Sequence, residues 1–147
     1  MLVTSHVLAG AAIGAWVRRP LAAFGLGAVS HFVMDAVPHW GSGDDHDYFM
    51  TVAVRDGLAG LAALAGSAAL SPRDSRWAVL AGAIGAATPD LDKPFAELTG
   101  RQLWPRPVAA LHGGIQRESP HRMPRELGLL AVTAAIMLAV FRRAGAS

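Results

Sequence analysis

The residues of this sequence that could do chemistry are histidines and carboxylates, and one pair stands at a spacing that suits a shared cation. His31 and Asp35 are four residues apart in an otherwise uncharged run. On a helix this spacing places both side chains on one face, one turn apart. A carboxylate buried there needs a partner, because burying it alone is costly. We predict that the pair binds a metal ion; the alternative is that Asp35 pairs with an arginine or caps a helix, with His31 hydrogen-bonded to it.

A turn between prolines carries two further carboxylates. Asp90 and Asp92 stand two residues apart in Thr88-Pro89-Asp90-Leu91-Asp92-Lys93-Pro94. That spacing suits the sharing of a hard cation. An aspartate beside a proline is also a frequent helix cap. We predict that both carboxylates act as metal ligands.

The remaining candidates stand at the ends of apolar stretches or in a long polar segment. They are His6 at the start of the first stretch, His39 directly after Pro38, Asp56, His112 before a double glycine, and His121. We predict metal ligation for His6, His39 and His112, and a general acid or base role for Asp56 or His121. For each of them a helix cap, an interface position or ordinary loop polarity is the structural alternative.

The composition restricts which chemistry these residues can support. Cysteine is absent, which excludes disulfides, thiolate metal sites and a cysteine nucleophile, so a metal must be held by nitrogen and oxygen ligands. Hydrophobic residues make up 52% of the chain and charged residues 16%, and the mean hydropathy is +0.34. A small soluble domain needs more surface charge than this. We therefore expect part of the surface to meet lipid. The scattered basic residues do not indicate nucleic-acid binding.

Five apolar stretches must position the candidate residues. They cover residues 2–17, 21–37, 48–70, 77–88 and 127–141. Their Ala-, Gly- and Leu-rich interiors and their lengths predict helices. We expect one all-α domain over residues 1–147, a small bundle of about five helices, with polar loops 38–48 and 89–125 forming the site. Because two stretches approach the roughly 20 residues that cross a bilayer, we favour a transmembrane bundle over a soluble or peripheral one. Gly10/Gly14 and Gly82/Ala86 have the spacing of close helix contacts in membranes.

An up-and-down order of the helices sorts the polar residues by end. With short connections reversing each helix, all six histidines and all acidic residues except Asp74 fall at one end, which we call the histidine end. The other, the arginine end, is defined by Arg18, Arg19, Arg73, Arg76, Arg142 and Arg143. A structural protein has no need of such sorting, so it favours a site at the histidine end.

Several of these segments together resemble a bacterial family of membrane-bound, predicted metal-dependent hydrolases, distantly related to zinc-dependent phospholipase C. The matching stretches are Thr4-Ser5-His6, Ser30-His31-Phe32-Val33-Met34-Asp35, Pro89-Asp90-Leu91-Asp92-Lys93-Pro94 and His112-Gly113-Gly114. Here the Ser-His-x-x-x-Asp segment precedes the Pro-Asp-x-Asp turn, whereas in the family it follows. The resemblance implies ligand roles for the histidines and aspartates of these stretches, and hydrolase activity.

The sequence thus predicts an integral membrane protein of a bacterial inner or plasma membrane, with a divalent metal, preferably Zn²⁺. The predicted reaction is attack of metal-activated water on a phosphoester or other ester, with a lipid or small molecule as substrate. Two alternatives stay open. One is a metal-binding or transport protein without turnover, and the other is a structural membrane protein without metal.

Overall fold

The computed structural model describes residues 1–145, and most of them are helical. The helices are α1 (Val3–Val17), α2 (Pro20–Asp35), α3 (His46–Leu70), α4 (Arg76–Ala87), α5 (Asp92–Thr99), α6 (Arg106–Ile115) and α7 (Met123–Gly145). Two short strands, β1 (His39–Trp40) and β2 (Glu118–Ser119), pair in parallel, and the 3-10 turns Thr88–Leu91 and Pro120–Arg122 precede α5 and α7. The all-α prediction is confirmed, and the five predicted stretches correspond to α1, α2, α3, α4 and α7.

The two segments predicted as loops contain regular structure, which corrects that part of the prediction. Residues 38–48 include β1 and the start of α3, and residues 89–125 include α5, α6, β2 and the start of α7. The prolines Pro94 and Pro107 lie within the short helices α5 and α6 and do not interrupt them. Both lie in the first turn of a helix, where proline is tolerated because the missing N–H has no partner within the helix.

Helix α1 lies in the middle of the bundle and packs against α2, α3, α4 and α7. Its small and apolar side chains form the core together with residues of α4 and α7. The buried members are Val7, Leu8, Ala11, Ala12, Ala15, Val79, Ala83, Met137 and Phe141. The helices around α1 keep large apolar side chains on the outer surface, among them Leu21, Val33, Leu61 and Trp77.

Glycines allow α1, α2 and α4 to approach almost to backbone contact. A Cβ on Gly10 or on Gly27 would collide with the carbonyl oxygen of Gly82, and one on Gly14 would collide with that of Ala78. Any side chain at these positions would push the helices apart. The small-residue contacts predicted for Gly10, Gly14 and Gly82 are therefore present, and they bring α1 and α2 close together beside α4.

The arginine end is held by polar contacts between elements far apart in sequence. Arg18, which ends α1 in a left-handed conformation (φ 59°), makes an ion pair of 3.2 Å with Asp74, between α3 and α4. Its guanidinium also donates a hydrogen bond to the carbonyl oxygen of Ala144 in α7 (3.0 Å). The ends of α1, α3 and α7 thus meet here, as the up-and-down order predicts.

Within residues 1–145, two helical segments are long and apolar enough to cross a membrane. They are His46–Leu70 and Pro120–Gly145, which includes the turn before α7, while α1 is apolar but shorter. This finding concerns length and composition alone, since one or two such helices also occur in soluble proteins. The sequence favoured the second and third stretches by length. The third is confirmed, whereas the second, α2, has only 16 residues and is not among the two segments. The last stretch is long enough because α7 extends beyond the predicted 127–141.

Candidate metal centre

Four side chains from three parts of the chain meet at the histidine end. His31 and Asp35 lie in the last two turns of α2, Asp90 lies in the 3-10 turn after α4, and His112 lies in α6. All four are buried, and one ligand atom of each lies within 4.8 Å of those of the other three. The group could hold a metal ion. The structure thus brings together four of the seven residues that the sequence predicted as ligands.

The distances within the group are those of atoms facing a common centre. Nε2 of His31 lies 3.0 Å from Nε2 of His112 and 3.2 Å from Oδ2 of Asp35. His112 Nε2 lies 3.0 Å from the same oxygen. Oδ1 of Asp90 is farther out, 3.9 Å from the His31 nitrogen and 3.7 Å from that of His112. Ligands about 2.0–2.1 Å from a tetrahedral zinc ion are separated from one another by about 3.3–3.4 Å. The separations among His31, Asp35 and His112 are slightly shorter than that value, and those from Asp90 to the two histidines are longer.

The tautomer of His31 follows from its second nitrogen. Nδ1 lies 2.7 Å from the carbonyl oxygen of Ala86 in α4. A carbonyl oxygen accepts, so Nδ1 carries the proton and donates it. In the neutral ring the lone pair is then on Nε2, which is the atom that faces Asp35. Two acceptors 3.2 Å apart need a cation or a further proton between them. Such a backbone contact also fixes the ring for metal binding.

Asp35 connects the group to a second layer of side chains. Its Oδ1 lies 3.2 Å from Nε2 of His6, whose ring stacks on that of His31 with the centroids 3.9 Å apart. Its Oδ2 accepts a hydrogen bond from the amide of Gln116 (3.1 Å). His6, predicted as a ligand, therefore contacts Asp35 from behind the group of four. Gln116 was missed, although it follows His112 by four residues and so shares its helical face.

Asp90 has a cationic neighbour that the sequence analysis did not use. The ammonium of Lys93 lies 2.9 Å from Oδ1 of Asp90. Burial acts to raise the pKa of Asp90, but Lys93 and the nearby rings of His6 and His31 outweigh burial and hold this pKa below its usual range. Burial acts to lower the pKa of Lys93, and Asp90 outweighs it and raises this pKa. Both groups are therefore charged at neutral pH. Their spacing of three residues within one turn was a readable signal.

Two carboxylates fix the start of α1, which carries His6. Asp56 of α3 accepts hydrogen bonds from the backbone N–H of Val3 (2.5 Å) and Thr4 (3.2 Å). Glu126 of α7 is fully buried and accepts from the N–H of Leu2 (2.8 Å) and Trp40 (3.1 Å). Asp56 thus caps α1, and its proposed acid–base role stays a prediction. Glu126 was missed; a lone acid entering an apolar helix was the available signal.

The other predicted residues lie outside the group of four. His39 is buried; its Nδ1 donates to the Val37 carbonyl oxygen (2.8 Å) and its Nε2 lies 3.6 Å from Glu118. The neighbouring His39 ring holds the pKa of Glu118 below its usual range, against the effect of burial. Asp92 begins α5, and His121 lies exposed in the turn before α7. Their predicted roles stay predictions.

Comparisons of the chain with protein-family models, with curated proteins and with solved structures find no significant match in any of the three. The resemblance to metal-dependent hydrolases therefore rests on the short segments described above.

Proposed function

We propose that this protein is an integral membrane metal-dependent hydrolase that uses Zn²⁺ to attack a phosphoester or other ester with water. The observation that carries the proposal is the convergence of two imidazole nitrogens and two carboxylate oxygens within 4.8 Å of one another in a buried place. Neutral imidazoles and carboxylates are ligands that zinc accepts in tetrahedral sites. Burial of carboxylates is expensive unless cations compensate it. Lys93 lies beside Asp90 and the N-terminal ammonium of Met1 lies 3.3 Å from Oδ1 of Asp35, and a metal ion would in addition pair with Oδ2 of Asp35 and the two imidazoles.

The distances divide the group into three ligands and one residue set apart. His31, Asp35 and His112 present atoms 3.0–3.2 Å from one another. Asp90 stands at 3.7 Å or more from the two histidines and is paired with Lys93. A closed four-ligand site is typical of structural zinc, whereas catalytic zinc keeps one position for water. We assign the first three as ligands and Asp90 as the residue that faces the open position.

This assignment gives each residue a chemical role. A bound zinc ion would supply Lewis acidity, which makes water easier to deprotonate and so able to attack an ester at neutral pH. Asp90, as a carboxylate, accepts the proton of the attacking water. Lys93 keeps Asp90 ionised and offers a positive charge to an anionic substrate group. His6 and Gln116 orient the carboxylate of Asp35.

The surface supports a membrane location. Only 6% and 11% of the most apolar windows of α3 and of Pro120–Gly145 are buried within the described part of the chain. The core helix of a soluble protein would be mostly buried instead. Apolar helices that face outwards need lipid or a partner to cover them, and lipid is the simpler explanation for a chain with a mean hydropathy of +0.34.

The test is turnover by purified protein in detergent or nanodiscs. Zinc-loaded protein is expected to hydrolyse a chromogenic phosphodiester or carboxylic ester, bis-p-nitrophenyl phosphate or p-nitrophenyl butyrate. Activity should disappear after chelation and return with zinc. A protein that binds zinc stoichiometrically but hydrolyses neither ester would favour the metal-binding or transport alternative. Binding of iron alone, with no zinc, would also contradict the proposal, since two histidines and one carboxylate also suit iron.

A further inference from the structure

A large apolar cavity begins beside the metal centre and extends along the bundle. Its volume is about 610 Å³, and it is bounded by residues of α1, α3, α4 and α5. Side chains such as Val7, Leu64 and Ile84 make most of the wall apolar. Leu61 and Leu98, also in the wall, are 65% and 86% exposed. The cavity therefore opens towards the outer apolar surface.

One end of this cavity is charged. Asp90 and Lys93 both line it, and Asp90 also belongs to the group of four at the metal centre. The Lys93 side chain is partly exposed, so its ammonium can contact a bound molecule as well as Asp90. A molecule filling the cavity would have an apolar body along α3 and a polar end at Lys93 and the metal centre. The wall also includes two carboxylates, Asp56, which caps α1, and Glu97.

We propose that this cavity binds the single alkyl chain of an anionic amphiphile whose phosphate or ester head group lies at Lys93 and the metal centre. This proposal rests on the proposed function for the position of the head group. A divalent cation at the metal centre would attract the anionic head, and Lys93, although paired with Asp90, adds positive charge beside it. The apolar wall supports the chain, because burial of methylene groups is favourable. The opening towards the apolar surface lets such a molecule enter directly from a bilayer.

Two glycines of α3 give a matched pair of variants. Gly57 lines the cavity, Gly66 does not, and a Cβ on either would meet no atom within 4 Å. A Cβ at Gly57 therefore displaces no backbone atom, and Gly57→Leu adds an apolar side chain at the cavity wall, whereas Gly66→Leu adds the same side chain elsewhere on the helix. Both replace glycine by a better helix former, so both should fold. Equal zinc content in the two variants verifies that the metal centre is intact.

The experiment measures the affinity of butyl, octyl and dodecyl phosphate for the zinc-loaded protein in nanodiscs, with empty nanodiscs as the background. Affinity should rise with chain length, by up to about fourfold for each fully buried methylene. Gly57→Leu should bind dodecyl phosphate at least tenfold more weakly, while Gly66→Leu should match the unmodified protein. Equal affinity of all three proteins for dodecyl phosphate, or no dependence on chain length, would overturn the proposal.

The outcome separates this proposal from the proposed function. Chain-length-dependent binding without hydrolysis of any ester would leave the amphiphile site standing and refute the hydrolase. Hydrolysis of p-nitrophenyl butyrate without tighter binding of longer alkyl phosphates would support the hydrolase and refute the amphiphile site.

Discussion

At the scale of single residues, Asp35 is the centre of the site because each of its oxygens meets a different set of partners. Oδ2 faces His31 and His112, and Oδ1 faces His6 and the N-terminal ammonium of Met1 (3.3 Å). The sequence could predict the first pairing, since four residues on one helix suffice to place His31 beside Asp35. It could not predict that Asp90 and His112 would join them, because that depends on how α4 and α6 pack against α2. For the same reason the sequence could not show that His39 and Asp92 lie outside the group of four while Asp90 and His112 belong to it.

Replacement of Asp90 separates binding from catalysis. We expect Asp90→Asn to retain zinc, because His31, Asp35 and His112 remain, and to lose turnover by about 10²- to 10⁴-fold, the usual contribution of a general base. Zinc content and ester hydrolysis are measured on the same preparation. Loss of zinc together with activity would show instead that Asp90 is a fourth ligand and would contradict its assignment as base.

Replacement of His6 tests the layer behind the ligands. His6→Ala removes the ring that contacts Asp35 and stacks on His31. We expect zinc affinity to fall by about 10- to 100-fold, the usual effect of losing such a supporting group. Competition with a chelating dye measures it. A loss of all zinc binding, with the helical circular dichroism unchanged, would indicate that His6 is itself a ligand.

At the scale of the elements, α1 determines how closely the bundle closes and so where α2 and α4 present their ligands. The small-residue spacings of α1 and α4 were readable from the sequence because they recur every four residues. The short helices α5 and α6 were not, because each is amphipathic over too few residues and contains a proline in its first turn. The hydrophobic stretches thus predicted the long helices. The helices and turns that carry Asp90 and His112 could be identified only from the tertiary structure.

Two glycine-to-alanine changes with opposite expected signs test the close approach. A Cβ on Gly10 would collide with the backbone of α4, whereas one on Gly25 of α2 meets nothing within 4 Å. Gly10→Ala should lower the free energy of unfolding by about 1–3 kcal/mol through overpacking. Gly25→Ala should leave it unchanged or raise it by up to about 1 kcal/mol. Thermal or denaturant unfolding in detergent provides the comparison. Equal effects at both positions would contradict the backbone contact between α1 and α4.

At the scale of the whole molecule, the polar residues and the apolar surface have separate places. The candidate ligands lie at one end, arginines hold the other end, and the outer faces of α2, α3 and α7 expose large apolar side chains. That arrangement would put the metal centre near one lipid–water boundary, within reach of an amphiphilic substrate. The low share of charged residues pointed to lipid, but it could not tell which helices face outwards, because α1 is as apolar as α7 and lies inside the bundle.

Fractionation tests the membrane location. We expect the expressed protein to sediment with membranes, to resist extraction by high salt and alkaline carbonate, and to dissolve in a mild detergent, because the proposed contact with lipid is apolar and not electrostatic. The soluble fraction and each wash are examined by immunoblotting. A monomer that stays in the soluble fraction without detergent would contradict the integral membrane proposal and leave the metal centre to be judged separately.

Metal content measured by mass spectrometry tests the central claim most directly. Protein never exposed to chelator should contain about one zinc per chain, as a single tetrahedral site holds one ion. His31→Ala should lose it, and His46→Ala, which changes an exposed histidine at the start of α3, should retain it. Less than about 0.2 zinc per chain in the unmodified protein, or equal zinc in the two variants, would contradict a metal centre held by His31, Asp35 and His112.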